Sequence, residues 1–173
     1  MEKHERFRWA VEILNVKPSD YILEIGCGVG LAVEEVAEHL VTGKITAIDK
    51  SPGMIEKAIR RNKKNIEQHK AKFVRSELLA FKKHNGKYNK IFCFNVNLFW
   101  TGKSITGEIS IIKSMLLKEG LIYIFYGPMV GVGFDKITSP IRKNLEKEAL
   151  PVIEFVHQPR LKCCCFVVAL IES

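Results

Sequence analysis

The sequence predicts an α/β fold: a doubly wound, mostly parallel sheet of seven strands between two helical layers, a three-layer αβα sandwich that closes on a late antiparallel hairpin. Three observations predict it. Tyr21 to Gly30, YILEIGCGVG, runs a short apolar strand directly into glycines at every second position, and an amphipathic helix follows at once. Strand-like apolar runs then alternate with stretches of helical period as far as residue 149, the pattern of repeated strand-helix units. Finally, residues 152–156 and 162–171 read as two strands joined by His157-Gln158-Pro159-Arg160, a link too short for a parallel crossover.

The elements follow in order. Residues 5–15 form an amphipathic helix with Phe7, Ala10, Val11 and Leu14 on one side and Arg6, Arg8 and Glu12 mostly elsewhere. Lys17-Pro18-Ser19-Asp20 turns into the first strand, and Gly26, Gly28 and Gly30 let the chain turn sharply where a ligand can approach the main chain. Leu31 to Leu40 is the first crossover helix, and Lys44 to Ile48 the second strand, ending in Asp49. Ser51-Pro52 opens a helix to Ile66, with Ile55, Ala58, Ile59, Asn62 and Ile66 inward and Ser51 as its cap. Lys72–Arg75 is a brief third strand, His84-Asn85-Gly86 a turn, and Lys90–Phe94 the fourth strand, leaving through Asn95-Val96-Asn97-Leu98-Phe99-Trp100. A helix over 102–117 ends at Lys118-Glu119-Gly120, Leu121–Tyr126 is the fifth strand, 127–134 an apolar glycine-rich loop, and 137–149 the last helix.

A chain of 173 residues with 47% hydrophobic content suits one domain, expected over 1–173, with 1–17 as an N-terminal helix covering the site. The N-terminus is charged, no apolar run approaches a membrane span, and the expected location is cytoplasmic with no membrane partner. Lys plus Arg outnumber Asp plus Glu by 27 to 19, a formal charge of +8, which suits an acidic small substrate, an anionic lipid or nucleic acid. The positive charge gathers at Arg60-Arg61, Lys63-Lys64, Lys70, Lys72 and Lys82-Lys83, on helix ends and loops where a solvated face is the simpler explanation. Five cysteines show no metal spacing; Cys163, Cys164 and Cys165 are adjacent on a strand and point to alternate faces, so no metal is expected and free buried thiols are.

The glycines select among ligands. A dinucleotide fingerprint needs glycine where Leu31 stands, so the pattern is G-x-G-x-G and an NAD-linked oxidoreductase is disfavoured. Asp49 at the end of the second strand is placed to accept from two ribose hydroxyls, and would repel a 2′-phosphate. Glu24 either faces the ligand or caps the glycine turn through backbone N–H groups. Together, Glu24-x-Gly26-x-Gly28-x-Gly30 and ITAIDKSPGMIEKA (Ile45–Ala58), with its strand-end acid and Ser-Pro-x-Met, resemble the paired motifs of class I S-adenosylmethionine (SAM) dependent methyltransferases. LLKEGLIYIFYGP is similar to that family's fifth-strand block, and the likeness spans about residues 5–171.

The resemblance implies a Rossmann-like fold, SAM as cofactor with S-adenosylhomocysteine as product, and a cofactor site of Glu24, Gly26, Cys27, Gly28, Gly30, Asp49, Lys50, Met54, Glu77 and Asn95. Glu77 takes the place of the acid that holds the adenine amino group, without the usual preceding glycine. The segment before the glycines often folds over the substrate site, which makes Trp9, with Asn97 and Trp100, substrate-binding candidates, each set against ordinary packing. In-line methyl transfer needs no obligatory base; His4, His157 and Tyr126 are the candidates for one if the acceptor is a hydroxyl or phenol, and Asn97 is a further catalytic candidate. The expected function is methyl transfer to a small-molecule acceptor, set against an RNA methyltransferase using the basic surface and a non-catalytic SAM-binding interaction subunit. Oligomeric state is left open.

Overall fold

The computed structural model describes residues 4–81, 86–100, 104–127 and 133–170. Its seven strands, β1 (Tyr21–Ile25), β2 (Lys44–Asp49), β3 (Ala71–Arg75), β4 (Tyr88–Phe94), β5 (Leu116–Tyr126), β6 (Val152–Gln158) and β7 (Cys163–Ala169), make one sheet in the order β3-β2-β1-β4-β5-β7-β6. The first five are parallel, and β7 runs antiparallel between β5 and β6. Strand order therefore reverses between β2 and β4 on either side of β1, which opens a crevice at the carboxyl ends of these strands.

Alternation along the strands sorts the core into two layers. Ile22, Ala47, Phe92, Phe125 and Cys165 face α1 (Glu5–Leu14), α2 (Leu31–His39) and α3 (Pro52–Arg61), while Leu23, Ile48, Ile91, Ile124 and Phe166 face α5 (Leu78–Phe81), α6 (Thr106–Met115) and α7 (Asp135–Lys147). The three adjacent cysteines obey the same rule, Cys163 and Cys165 packing in one layer and Cys164 in the other, all free and buried. Phe81, Phe92, Phe99, Phe125 and Phe166 are fully enclosed, each contributing roughly 2–3 kcal/mol of apolar burial.

The elements depart from sequence expectation where local polar chemistry overrides period. The helix expected to reach Ile66 is interrupted at Asn62 (φ −99°, ψ 23°), after which α4 (Lys63–Glu67) follows, and Ile59, expected inward, is exposed. Asn62 is itself buried because its Nδ2 donates to the carbonyls of Gly30 at 2.9 Å and Ala58 at 3.2 Å, fastening the helix to the glycine turn. Helix α6 stops at Met115, and Leu116 already pairs with Tyr88, with Glu119 at positive φ before Gly120. His157 and Gln158 belong to β6 and not to its turn. Residues 82–85, with Lys82, Lys83 and part of the expected turn, and 128–132 of the apolar loop lie outside the described residues.

Asn62→Leu keeps the branched outline but removes the amide bond to the Gly30 carbonyl, which then accepts only the Glu34 N–H at 3.3 Å, so it should destabilise the fold by about 1–3 kcal/mol, read from urea unfolding midpoints. An unchanged midpoint would mean the bond to the glycine turn carries no weight.

Candidate cofactor-binding site

The site starts from how β1 ends. Gly26 and Cys27 donate their N–H groups to the carbonyl of Ile48 at 2.8 and 3.0 Å, and Gly30 donates to Cys27 at 2.9 Å, so the turn is pinned to β2 as it closes. Gly28, at φ +54, would have nothing within 4 Å of an added Cβ, so its surroundings leave the main chain open to a ligand. Gly30 is required for the opposite reason: a Cβ there would sit 2.7 Å from Asn62 Nδ2 and 3.0 Å from Ala58 Cβ, where α3 crosses the turn.

Asp49 clasps this turn. Its Oδ2 accepts from the Gly28 N–H at 2.9 Å and its Oδ1 from the Ser51 N–H at 2.9 Å. A carboxylate has about four acceptor positions, so each oxygen keeps one, enough to take a further pair of donors such as a diol. The cap of α3 is Ser51, whose Oγ accepts from the Met54 N–H at 3.4 Å, as its place before Pro52 predicts.

Glu24 has a different environment. It is 2% exposed, makes no bond to the glycine turn, and its Oε2 is enclosed without a partner, so the turn-capping alternative passes to Asp49. Burial first, and the Asp49 charge second, push its carboxyl up to about 8. The neighbouring Cys27 thiol is pushed up as well, by burial and then by Glu24 and Asp49, which makes it an inert wall and no nucleophile.

Two cavities meet here. The larger, about 490 Å³, is lined by Asp49, Lys50, Ser76, Glu77, Leu78 and Asn97 among others, and the smaller, about 170 Å³, by Arg6, Phe7, Glu24, Cys27, Gly28 and Phe94 among others; Gly26 and Asn95 belong to both. Most of the predicted cofactor residues thus line one crevice, while Gly30 braces it from behind. Met54 does not join them, standing exposed on α3.

The substrate and catalytic candidates divide. Asn97, in the short 3-10 turn Asn97–Phe99, is exposed at the larger cavity. Trp100 packs against the α6 and α7 layer with its indole N–H enclosed and unpartnered. Trp9 is buried edge-on against Phe125 at 5.7 Å and lines neither cavity; it is Phe7, 5.0 Å from Phe94, that reaches the site. Tyr126 is likewise no rim group: its hydroxyl is buried and donates to the Val96 carbonyl, and burial raises its pKa further. His157 stands exposed on the edge strand against Phe134 at 4.7 Å, and His4 pairs with Glu35 at 3.0 Å.

Asn95, expected at the cofactor, has a further role that the sequence did not show: it sits at φ +56, donates its N–H to the Phe125 carbonyl at 3.0 Å and accepts from Gly127 at 2.8 Å, tying the exits of β4 and β5 together. Asparagine's tolerance of that conformation was the available signal. Glu108 of α6 lines the larger cavity, and Arg6 the smaller; nothing in their helices' periodicity sets them apart from solvent-facing neighbours.

Comparison with known proteins agrees with this geometry. A methyltransferase domain family matches residues 22–120, and the chain belongs to that family, whose class uses SAM as its methyl donor. A malonyl-[acyl-carrier protein] O-methyltransferase of Acetivibrio thermocellus is 28% identical over 149 residues, 83% of this chain and 50% of that protein. The chain spans about half the length of the curated relatives it matches over most of its own length. In fold it is similar to a SAM-dependent methyltransferase from Aquifex aeolicus (TM-score 0.74, 15% identity, 94% of this chain and 88% of that one). It is also similar to the magnesium protoporphyrin IX methyltransferase of Synechocystis with bound SAM (TM-score 0.68, 17% identity, 94% and 75%).

The Glu24 environment makes a pH prediction. Its native pKa of about 8 lies above the ordinary value of 4.5, so the native state holds this proton more tightly than the unfolded chain. That contribution is complete below pH 4.5 and lost as pH rises through 8. Glu24→Gln, always neutral, should therefore gain stability over the parent as pH rises from 5 to 8.5, measured by urea unfolding at both; a constant difference would contradict a neutral buried carboxyl.

Proposed function

We propose that this protein transfers a methyl group from SAM to a small acceptor. The observation that carries the reading is the joined pair of cavities at the carboxyl ends of β1, β2 and β4, with acids at successive strand ends and an unpartnered buried carboxyl in the smaller one. The residues fit the donor. Asp49 has acceptor positions for the ribose hydroxyls, Glu77 and Leu78 stand where an adenine would lie, and the open face of Gly28 admits the amino-acid end.

When bound, SAM supplies a methyl group on a positively charged sulfur, ready for in-line displacement. This chain's residues contribute placement and dryness. Asn95 and Tyr126 hold the exits of β4 and β5 in register through Gly127 and Val96, and Asn144 of α7 donates to the Phe99 carbonyl at 2.8 Å, so the rim beside the crevice is braced from three elements. Among the described residues, neither Tyr126 nor His157 nor His4 is free at that rim to act as a base. An acceptor that is already nucleophilic near neutral pH, a carboxylate above all, suits such a site. The Acetivibrio relative is named for a malonyl group borne on an acyl-carrier protein, and the free end of a malonyl group is a carboxylate.

The test offers methyl-labelled SAM with a metabolite extract fractionated by acidity, and with total RNA at physiological salt. Label should enter small acidic compounds as alkali-labile esters, and Asp49→Ala should weaken S-adenosylhomocysteine binding by about 2–4 kcal/mol in calorimetry. Robust, site-specific label in RNA would replace this reading with the nucleic-acid one and make the basic clusters a binding surface. SAM binding without transfer to either pool would favour an interaction subunit.

A further inference from the structure

At the end opposite the crevice the sheet is covered unevenly. On the face that packs against α5 and α6, Leu23 and Ile48 are buried. Tyr21 and Thr46 stand two residues earlier on the same strands and so on the same face, yet Tyr21 is 50% exposed and Thr46 only half-buried. Among the described residues the crossover from β3 to β4 contributes one helical turn, α5, with Leu78 at the crevice and Phe81 at the far end. Beyond Phe81 lies a cavity of about 530 Å³ at the amino ends of β1 to β4, with Phe81 and Tyr88 buried beneath it. Three lysines stand around it, Lys44 from β2, Lys72 from β3 and Lys87 just before β4, and no acid lines it among the described residues. Thr46 is in register with Lys72, which makes Lys44 and Lys72 diagonal neighbours on one face. The Nζ of Lys87 donates to the Ser114 carbonyl at 2.6 Å and keeps two further protons to donate, while the ammonium groups of Lys44 and Lys72 have no partner.

We infer that this cavity is a second ligand site, which takes a small organic anion with a flat apolar body: the anionic group lies among Lys44, Lys72 and Lys87, and the body lies against Val74 and Phe81 beside the ring of Tyr21. The site is about one strand length, roughly 15 Å, from the crevice, and it does not depend on what the crevice binds. Like charges set side by side repel, and an anion placed between them turns that repulsion into attraction. Charge alone would suit a solvated face. What selects an organic anion is the apolar surface between the charges, where Val74 is only partly covered, Leu117 is 38% exposed and the Tyr21 ring stands open. A bare inorganic ion would leave that surface wet, and a neutral apolar molecule would leave the ammonium groups unmatched. The volume is that of an ordinary small-molecule site.

Fluorescence titration with two probes tests this: 8-anilinonaphthalene-1-sulfonate, a flat apolar body bearing an anion, and N-phenyl-1-naphthylamine, the same body without it. The parent should bind the sulfonate saturably and at least about tenfold more tightly than the neutral probe, a preference that shrinks as ionic strength rises. Lys44→Gln with Lys72→Gln should lose about tenfold for the sulfonate and less than about twofold for the neutral probe, whereas Lys44→Arg with Lys72→Arg should stay within about threefold of the parent. Circular dichroism confirms that each variant is folded. Saturating S-adenosylhomocysteine should leave the sulfonate's affinity unchanged, because the crevice is at the other end of the sheet. No saturable binding of the sulfonate, equal affinity for the two probes, or equal losses for both in the glutamine variant overturns the second site. Displacement of the sulfonate by S-adenosylhomocysteine overturns it too, by placing the probe in the crevice, and leaves the SAM reading standing.

Discussion

The rest of the structure depends on one carboxylate. Asp49 ends β2, and its two oxygens hold the backbone N–H of Gly28 and of Ser51, joining the turn that follows β1 to the turn that follows β2. A glycine-rich turn has little conformational preference of its own, so its shape must be imposed from outside. Here it is imposed from three sides, by Asp49 in front, by the Ile48 carbonyl beneath, and by Asn62 at the Gly30 carbonyl behind. The same carboxylate lies near Glu24, where its charge adds to burial in keeping that acid protonated. Turn geometry and site electrostatics are therefore set by one residue, and disturbing it disturbs both.

The crevice that results is divided by charge. The larger cavity sets Asp49, Glu77 and Glu108 among apolar side chains such as Ile48, Leu78 and Leu98, a lining suited to a flat ring that also carries hydroxyls and amino groups. The smaller brings a buried acid and an arginine together under two aromatic rings. Beyond both, the rim is built from backbone held in place by side chains: Asn95 to Gly127, Tyr126 to Val96, Asn144 to Phe99. Polar side chains that looked like reagents turn out to be braces, which fits chemistry that depends on alignment more than on proton transfer.

Much of this was legible in the sequence because it was written in local pattern. The strand-to-glycine junction at 21–30, the acid at 49 with Ser51-Pro52 after it, and the alternating cysteines of β7 all appear as read, since each depends on neighbours in the chain. What failed depended on partners distant in sequence. Asn62 looked like one more inward residue of a continuous helix, but its amide found Gly30 and the helix broke there. Trp9 and Phe7 are both large aromatics on α1, and only the position of Phe94 and Phe125 beneath them decides that Phe7 meets the cavity while Trp9 fills the core. Arg6 has the periodicity of a solvated residue, and Tyr126 the position of a rim residue; the ring faces under one and the Val96 carbonyl beside the other reassign both.

A single ligand reaching from one cavity to the other across Gly26 and Asn95 is what joins the two halves of the crevice, and a crystal structure of the protein with S-adenosylhomocysteine would reveal it. The ribose hydroxyls should lie at Asp49, the adenine beside Glu77 and Leu78, and the homocysteine chain over Gly28 toward the cavity of Glu24 and Arg6. A ligand bound elsewhere on the sheet, or one whose adenosine lies in the smaller cavity with the amino acid toward Glu77, would contradict it.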